Sequence, residues 1–230
     1  MKKDLIRVRR IMLTRLVGGF FLVFSLLFLC AGRIDYWQGW GLVLVSAALL
    51  ARTCFLIKDK YTLLQERVEP GSGMKWWDKI FLLLFILSFL SVIALAGLES
   101  GRFHRTGALP GLIYPLGYLL LFLSHYVTIS AMCANDYFSS IVRIQKDRDH
   151  KVIQEGLYGI IRHPGYSGGI LLGFAVAFML GSRYALIPAS TMALLLIVRT
   201  YLEEITLEKN LPGYTEYTKK VKYRIVPGLW

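Results

Sequence analysis

Two short stretches of the chain concentrate the side chains that could do chemistry. The first runs over residues 149–168 and includes His150, Tyr158 and the run Arg162-His163-Pro164-Gly165-Tyr166. The second is Arg199-Thr200-Tyr201-Leu202-Glu203-Glu204. Guanidinium and carboxylate groups orient charged ligands, and imidazole and carboxylate groups transfer protons. Both stretches border long apolar segments, and ionisable groups at membrane depth are costly enough to indicate a functional site.

The composition indicates lipid as the solvent of this chain. It has 230 residues, of which 55% are hydrophobic and 18% charged, and its mean hydropathy is +0.51. Soluble domains are about 45–50% apolar and about 25% charged. The three cysteines show neither CxxC nor Cys/His spacing, so we expect no metal site and no disulfide framework. The sequence predicts an all-α, polytopic membrane helical bundle.

Apolar segments of spanning length position the two polar stretches. About 20 mainly apolar residues cross a bilayer, and we predict six spans, the last two forming a helical hairpin. Helices joined by a short connection are antiparallel neighbours, so both polar stretches should meet at one membrane face. We predict a single domain over 1–230, with four spans in 1–135 and a polar loop, the hairpin and an interfacial segment in 136–230. The predicted spans are 16–32, 36–57, 80–98, 106–135, 164–182 and 184–198.

The positive residues behind the net charge of +12 are unevenly divided between the two sides of the predicted topology. Of the 27 Lys and Arg residues, 23 fall on the side that carries both termini and the two polar stretches, and 4 fall on the other side. The positive-inside rule therefore predicts that both termini and the candidate active site are cytoplasmic. We expect this charge to meet anionic lipid headgroups and not nucleic acid.

Local spacing allows a structural interpretation beside each functional one. Pro164 should open a helix, because proline is well tolerated in a first turn. Arg199 and Glu203 are four residues apart and could form an intrahelical ion pair. Gly169 and Gly173 lie in a four-residue repeat that favours close helix packing. The alternation of Tyr214 and Tyr217 with lysines predicts an amphipathic helix on the headgroups.

Taken together, these motifs resemble the isoprenylcysteine carboxyl methyltransferase family of integral membrane enzymes. The likeness covers roughly residue 135 to the C-terminus. The matching elements are His150, Gly156-Leu157-Tyr158, Arg162-His163-Pro164-Gly165-Tyr166-Ser167-Gly168, Arg199 with Glu203-Glu204, Tyr214 with Tyr217, and Ile225-Val226-Pro227-Gly228-Leu229-Trp230.

The resemblance implies an S-adenosylmethionine cofactor and O-methylation of a carboxylate on an isoprenylcysteine or similar lipidic acid. The substrate would be a lipophilic small molecule or a lipidated peptide. Arg199 would be the catalytic residue that meets the substrate carboxylate, with Glu204 also on the substrate side. The cofactor contacts carried over by position are Gln145, His150, Val152, Ile153, Tyr158, His163, Pro164, Gly165, Tyr166 and Glu203.

Three other functions stay open on the sequence alone. A phospholipid N-methyltransferase would need a base for the amine proton, and Glu204 is the obvious one. A sterol-reductase-like oxidoreductase would need cations for the 2′-phosphate of NADPH, which Lys146 and Arg148 could supply. A non-enzymatic scaffold would keep the hairpin for packing alone.

Overall fold

The computed structural model describes residues 2–104 and 110–230, and within them the chain is helical. A six-residue π-helical segment, Gly97–Arg102, continues the helix Trp76–Ala96. Two short 3₁₀ turns, Lys146–Arg148 and Gly156–Gly159, lie in the long connection before the helix Pro164–Met179. The helices are α1 (Lys2–Ala31), α2 (Trp37–Ile57), α3 (Tyr61–Val68), α4 (Trp76–Ala96), α5 (Ile113–Ala134), α6 (Pro164–Met179), α7 (Leu186–Asn210) and α8 (Tyr214–Lys220).

Within the described residues, five helices are long and apolar enough to cross a membrane, namely α1, α2, α4 with its π-helical continuation, α5 and α7. The polytopic helical bundle is therefore confirmed. The predicted span 164–182 is a helix of only 16 residues. The helix that contains the last predicted span, α7, continues beyond residue 198 to Asn210. Part of the predicted span 106–135 lies outside the described residues.

The main core lies between the spans. It joins Leu27 of α1, Val92 of α4, Leu121 of α5, Val176 of α6 and Met192 of α7. The helices α5 and α6 pack closely, since a Cβ built on Gly168 would lie 2.1 Å from the Thr128 hydroxyl. Gly169 and Gly173 instead face Leu196, Met192 and Ala189 of α7. Small residues on α6 thus let both neighbouring helices come close, as the glycine repeat predicts.

A smaller core fixes the end of the bundle where the two polar stretches lie. Val8 and Met12 of α1 pack with Leu63 and Leu64 of α3 and with Met132 of α5. Because α3 is only eight residues long, this packing and not helix propensity holds it in place. The short helix α3 thereby presents its polar side to the 136–153 loop that follows α5.

Candidate functional site

The two polar stretches meet around one cavity of about 820 Å³, including its open mouth. Its wall combines the 136–153 loop, the start of α6, the last third of α7 and the face of α8. The lining residues are Asn135, Tyr137, Phe138, Ser139, Ile141, Arg143, Gln145, His150, Lys151, Val152, Ile153, Tyr158, Arg162, His163, Gly165, Tyr166, Glu203, Leu207, Leu211, Tyr214 and Tyr217.

Pro164 occupies the first turn of α6, as the sequence predicts, and the two residues before it are held by the C-terminal segment. The backbone N–H groups of Arg162 and His163 donate to the carbonyls of Tyr223 and Arg224 at 2.9 and 2.8 Å. These bonds hold the His163 ring at the cavity, where it stacks on Tyr166 with the ring planes 4° apart.

Glu203 and Glu204 are adjacent in sequence but lie in different surroundings. Glu203 lines the cavity, accepts a hydrogen bond from the Tyr166 hydroxyl and lies 3.9 Å from Nδ1 of His163. Glu204 lies behind the cavity wall, where its oxygens accept from Nε of Arg162 and Nε of Arg224, each at 2.5 Å. The carboxylate of Glu204 is therefore engaged by two guanidinium groups, whereas that of Glu203 faces the cavity.

Arg199 pairs with Asp78 of α4 and not with Glu203. Its Nη2 lies 3.0 Å from Oδ1 of Asp78 and donates to the carbonyl of Ser140 at 2.9 Å. The guanidinium lies over the rings of Phe81 and Tyr166, at 4.4 and 5.4 Å from their centroids. Its Nε is buried without a hydrogen-bond partner. The i,i+4 ion pair that the spacing allowed is thus absent from the described structure.

The 136–153 loop is braced from inside and from α3. Both polar atoms of the Gln145 amide are used within the loop, since Nε2 donates to the Tyr137 carbonyl at 2.7 Å and Oε1 accepts from Arg148 at 2.7 Å. Arg143 donates to Glu66 of α3 through Nε and Nη2, at 3.0 and 2.6 Å. This paired geometry adds both strength and direction to the contact.

His150 faces the cavity as a neutral imidazole. Its ring packs on Tyr137 with centroids 4.5 Å apart, and Nδ1 accepts from the backbone N–H of Gln145 at 3.4 Å. Burial lowers the pKa of His150 to about 4, against the attraction of Glu203. Near pH 7 the residue therefore offers an aromatic face and one N–H group without adding positive charge.

Tyr214 and Tyr217 of α8 are not on the headgroup face that the sequence analysis predicted. Both are buried, both line the cavity, and the Tyr217 hydroxyl donates to the Tyr158 carbonyl at 2.7 Å. Burial raises the pKa of all three tyrosines at this wall, so they remain neutral. The alternation with lysines marks an amphipathic helix, but its apolar face packs against the protein.

The structure gathers most of the residues predicted from the sequence. Of the ten expected cofactor contacts, nine line the cavity, and Pro164 stands behind them as the start of α6. Arg199 lies beside the cavity against Tyr166, and Glu204 lies in the wall. No site role was predicted from the sequence for Arg143, Glu66 or Asp78. Arg143 and Glu66 are 77 residues apart, and Asp78 is 64 residues from Val142 and 121 from Arg199.

Residues 116–209 match the model of the isoprenylcysteine carboxyl methyltransferase (ICMT) family. The matched segment covers less than half of the chain. The match begins in α5 and ends in α7, and confirms the resemblance seen in the motifs.

No group of three or more His, Cys, Asp or Glu side chains suited to a metal ion occurs within residues 2–104 and 110–230.

Curated relatives agree with the family match. The protein-S-isoprenylcysteine O-methyltransferase of Schizosaccharomyces pombe is 30% identical over 113 residues, covering 46% of this chain and 45% of the relative. A probable enzyme of the same name from Oryza sativa subsp. indica is 32% identical over 100 residues, covering 40% and 50%. A probable 7-dehydrocholesterol reductase of Acanthamoeba polyphaga mimivirus is 34% identical over 88 residues, covering 36% and 20%. The chain thus spans about half the length of the methyltransferases it matches.

Proposed function

We propose that this protein is a membrane-embedded methyltransferase that uses S-adenosylmethionine to methylate the carboxylate of an isoprenylcysteine or another lipidic acid. The observation that carries the proposal is the convergence of family-matching residues on one cavity, with Arg199 beside it. S-adenosylmethionine, when bound, supplies a methyl group on a positively charged sulfur.

The cavity residues fit such a cofactor. A sulfonium cation is attracted to aromatic rings, and Tyr137, Tyr158 and Tyr166 all line the cavity. Glu203 offers a carboxylate to the cofactor's ammonium or hydroxyl groups. His150 adds no competing positive charge, because its imidazole is neutral near pH 7.

A carboxylate acceptor suits the residues at the site better than an amine. A carboxylate is already ionised near pH 7 and attacks without a base, so the protein has only to align the reactants and exclude water. An amine would need a base, and Glu204, the base considered from the sequence, is engaged by Arg162 and Arg224. Arg199, with Nε unpartnered, would bind the acceptor carboxylate.

The reductase alternative is less well supported. Of the two cations considered for a 2′-phosphate, Arg148 already donates to Gln145 and to the Asp136 carbonyl. Cofactor binding therefore distinguishes the methyltransferase, the reductase and the scaffold. We expect the purified full chain to bind S-adenosylhomocysteine and not NADPH, and a scaffold would bind neither. NADPH binding without S-adenosylhomocysteine binding would refute the proposal.

Two substitutions in the cavity test the cofactor site. We expect His163→Ala and Tyr166→Ala each to weaken S-adenosylhomocysteine binding at least tenfold, about 1.4 kcal/mol. Tyr201→Ala, at an exposed position on the same turn of α7 as Glu203, is the control and should bind as the wild type does. Unchanged affinity in both cavity variants would remove these residues from the site.

The acceptor is tested at Arg199. A guanidinium grips a carboxylate with two parallel hydrogen bonds that an ammonium does not reproduce. We therefore expect Arg199→Lys to recover little of the turnover of a farnesylated cysteine lost in Arg199→Ala. Near-normal turnover in the lysine variant would contradict this role.

We further propose that α6 crosses the bilayer as a sixth, short span and that both termini and the cavity face the cytoplasm, which the charge distribution supports. Reporter fusions after Arg33 and Arg183 should report the opposite side, and a fusion after Trp230 the cytoplasm. A cytoplasmic signal after Arg33 would overturn the orientation.

A further inference from the structure

Asp78 contacts both the cofactor side and the acceptor side of the site, although it lies outside the family-matching segment. It sits in the first turn of α4 and has no exposed surface. Its Oδ2 accepts from the backbone N–H of Val142, in the 136–153 loop, at 2.7 Å. Nη2 of Arg199 lies 3.0 Å from Oδ1 as an ion-pair contact and donates its hydrogen bond to Oδ2 at 3.3 Å, while Oδ1 accepts no hydrogen bond from the described residues. One carboxylate thus touches two separate parts of the site.

The contact with Arg199 balances a charge that would otherwise be isolated. Arg199 is buried, and its other polar partner is the neutral carbonyl of Ser140. Two aromatic rings, those of Phe81 and Tyr166, flank its guanidinium. Because Asp78 supplies the only carboxylate paired with Arg199 within residues 2–104 and 110–230, it sets the direction in which the guanidinium points.

The contact with Val142 fixes the loop that lines the cavity. Val142 precedes Arg143, whose guanidinium is held by Glu66. Together these bonds fasten the start of the loop to α3 and α4, with Gln145 and His150 following within eight residues of Val142. The position of the cofactor-facing side chains therefore depends on an acid in the N-terminal half.

We propose that Asp78 is a positioning residue that aligns Arg199, on the acceptor side, with the loop on the cofactor side. It touches neither reactant itself. The assignment of the two sides rests on the function proposed above. Asp78 then acts through two separable contacts: its negative charge directs Arg199, and an acceptor oxygen alone is enough to hold the Val142 N–H.

Asparagine and alanine at position 78 separate these two contacts. Asp78→Asn keeps an oxygen for Val142 and removes the charge, whereas Asp78→Ala removes both. In the full chain we expect Asp78→Asn to bind S-adenosylhomocysteine within about twofold of the wild type, and Asp78→Ala at least tenfold more weakly. For a farnesylated cysteine, we expect Asp78→Asn to raise KM at least tenfold. Asp78→Glu should recover part of that loss, because it restores the charge.

Ser88→Ala is the matched control, since Ser88 is also buried on α4, about 15 Å further along the helix. Ser88→Ala should leave the affinity for S-adenosylhomocysteine and the KM for a farnesylated cysteine unchanged. Equal cofactor affinity in Asp78→Asn and Asp78→Ala would overturn the loop contact. A KM in Asp78→Asn at or below the wild-type value would overturn the positioning of Arg199 by Asp78. It would show instead that Asp78 competes with the acceptor carboxylate for Arg199.

Different measurements test the proposed function and the positioning role of Asp78. A wild-type chain that binds S-adenosylhomocysteine but does not methylate a farnesylated cysteine would refute that acceptor. The cofactor titrations of Asp78→Asn and Asp78→Ala still test the inference in that case. A uniform loss of affinity for every ligand in both variants would show that Asp78 serves only to hold the fold together.

Discussion

Glu203 and Glu204 provide a matched pair of substitutions in which the same chemical change should have different consequences. Replacing either by glutamine removes one negative charge and keeps the shape. Glu204 is almost fully buried and engaged by Arg162 and Arg224. Glu203 has a side chain 20% exposed and faces the cavity. We expect Glu204→Gln to destabilise the protein and Glu203→Gln to weaken cofactor binding.

The magnitude follows from what each substitution leaves behind. In Glu204→Gln, Arg162 keeps its bonds to the carbonyls of Val221 and Lys222 but loses its buried counter-charge. Removing one partner of a buried ion pair costs about 3–5 kcal/mol, or a fall in Tm of roughly 6–20 °C for a chain of this size. In Glu203→Gln, the Tyr166 hydroxyl can still donate to the amide oxygen, so the cost should be about 1 kcal/mol.

The assay is thermal unfolding of the purified full chain, paired with S-adenosylhomocysteine titration of each variant. Should Glu204→Gln fail to fold, Arg224→Gln gives a milder version, because Arg224 is 31% exposed and Glu204 keeps Arg162. Its Tm should fall by less than half as much. Equal losses of stability in Glu203→Gln and Glu204→Gln, or a Tm within about 2 °C of wild type for Glu204→Gln, would refute this account.

Two further predictions concern helix packing and pH. Gly168→Ala should cost about 2–4 kcal/mol of stability in thermal unfolding, because its methyl group would lie 2.1 Å from the Thr128 hydroxyl and would disturb the Ser124 bond to the Gly168 carbonyl. The control is Gly18→Ala, whose methyl group meets open space and should cost no stability. Similar losses in both variants would contradict this packing. The pKa of His150 is about 4 in the folded chain and about 6.5 in the unfolded chain. Between pH 6.5 and 4 the unfolded chain therefore binds a proton that the folded chain does not. The contribution of His150 to stability is complete above pH 6.5 and is lost as the pH falls to 4. The Tm of wild type should therefore fall more steeply than that of His150→Gln between pH 6.5 and 4, and parallel curves would contradict the shift.

The sequence by itself determined the membrane class, the apolar helices and the chemical groups of the site. An apolar stretch near 20 residues crosses a bilayer because lipid leaves the backbone no other hydrogen-bond partners. Pro164 opened its helix as predicted, since that preference depends on the first turn alone. The short connection between α6 and α7 brought the segments around His163 and Glu203 together, because adjacent antiparallel helices must meet at their ends.

Only the tertiary structure decided which partner each charge takes. The spacing of Arg199 and Glu203 permitted an ion pair, yet Arg199 pairs with Asp78, 121 residues earlier in the chain. Local rules gave α8 an amphipathic character, but not whether Tyr214 and Tyr217 would face lipid or protein. A buried charge takes the partner that packing brings within hydrogen-bond reach, because leaving it unpaired costs more than any local preference supplies. That choice depends on helices far apart in sequence, and so it appears only when they are packed together.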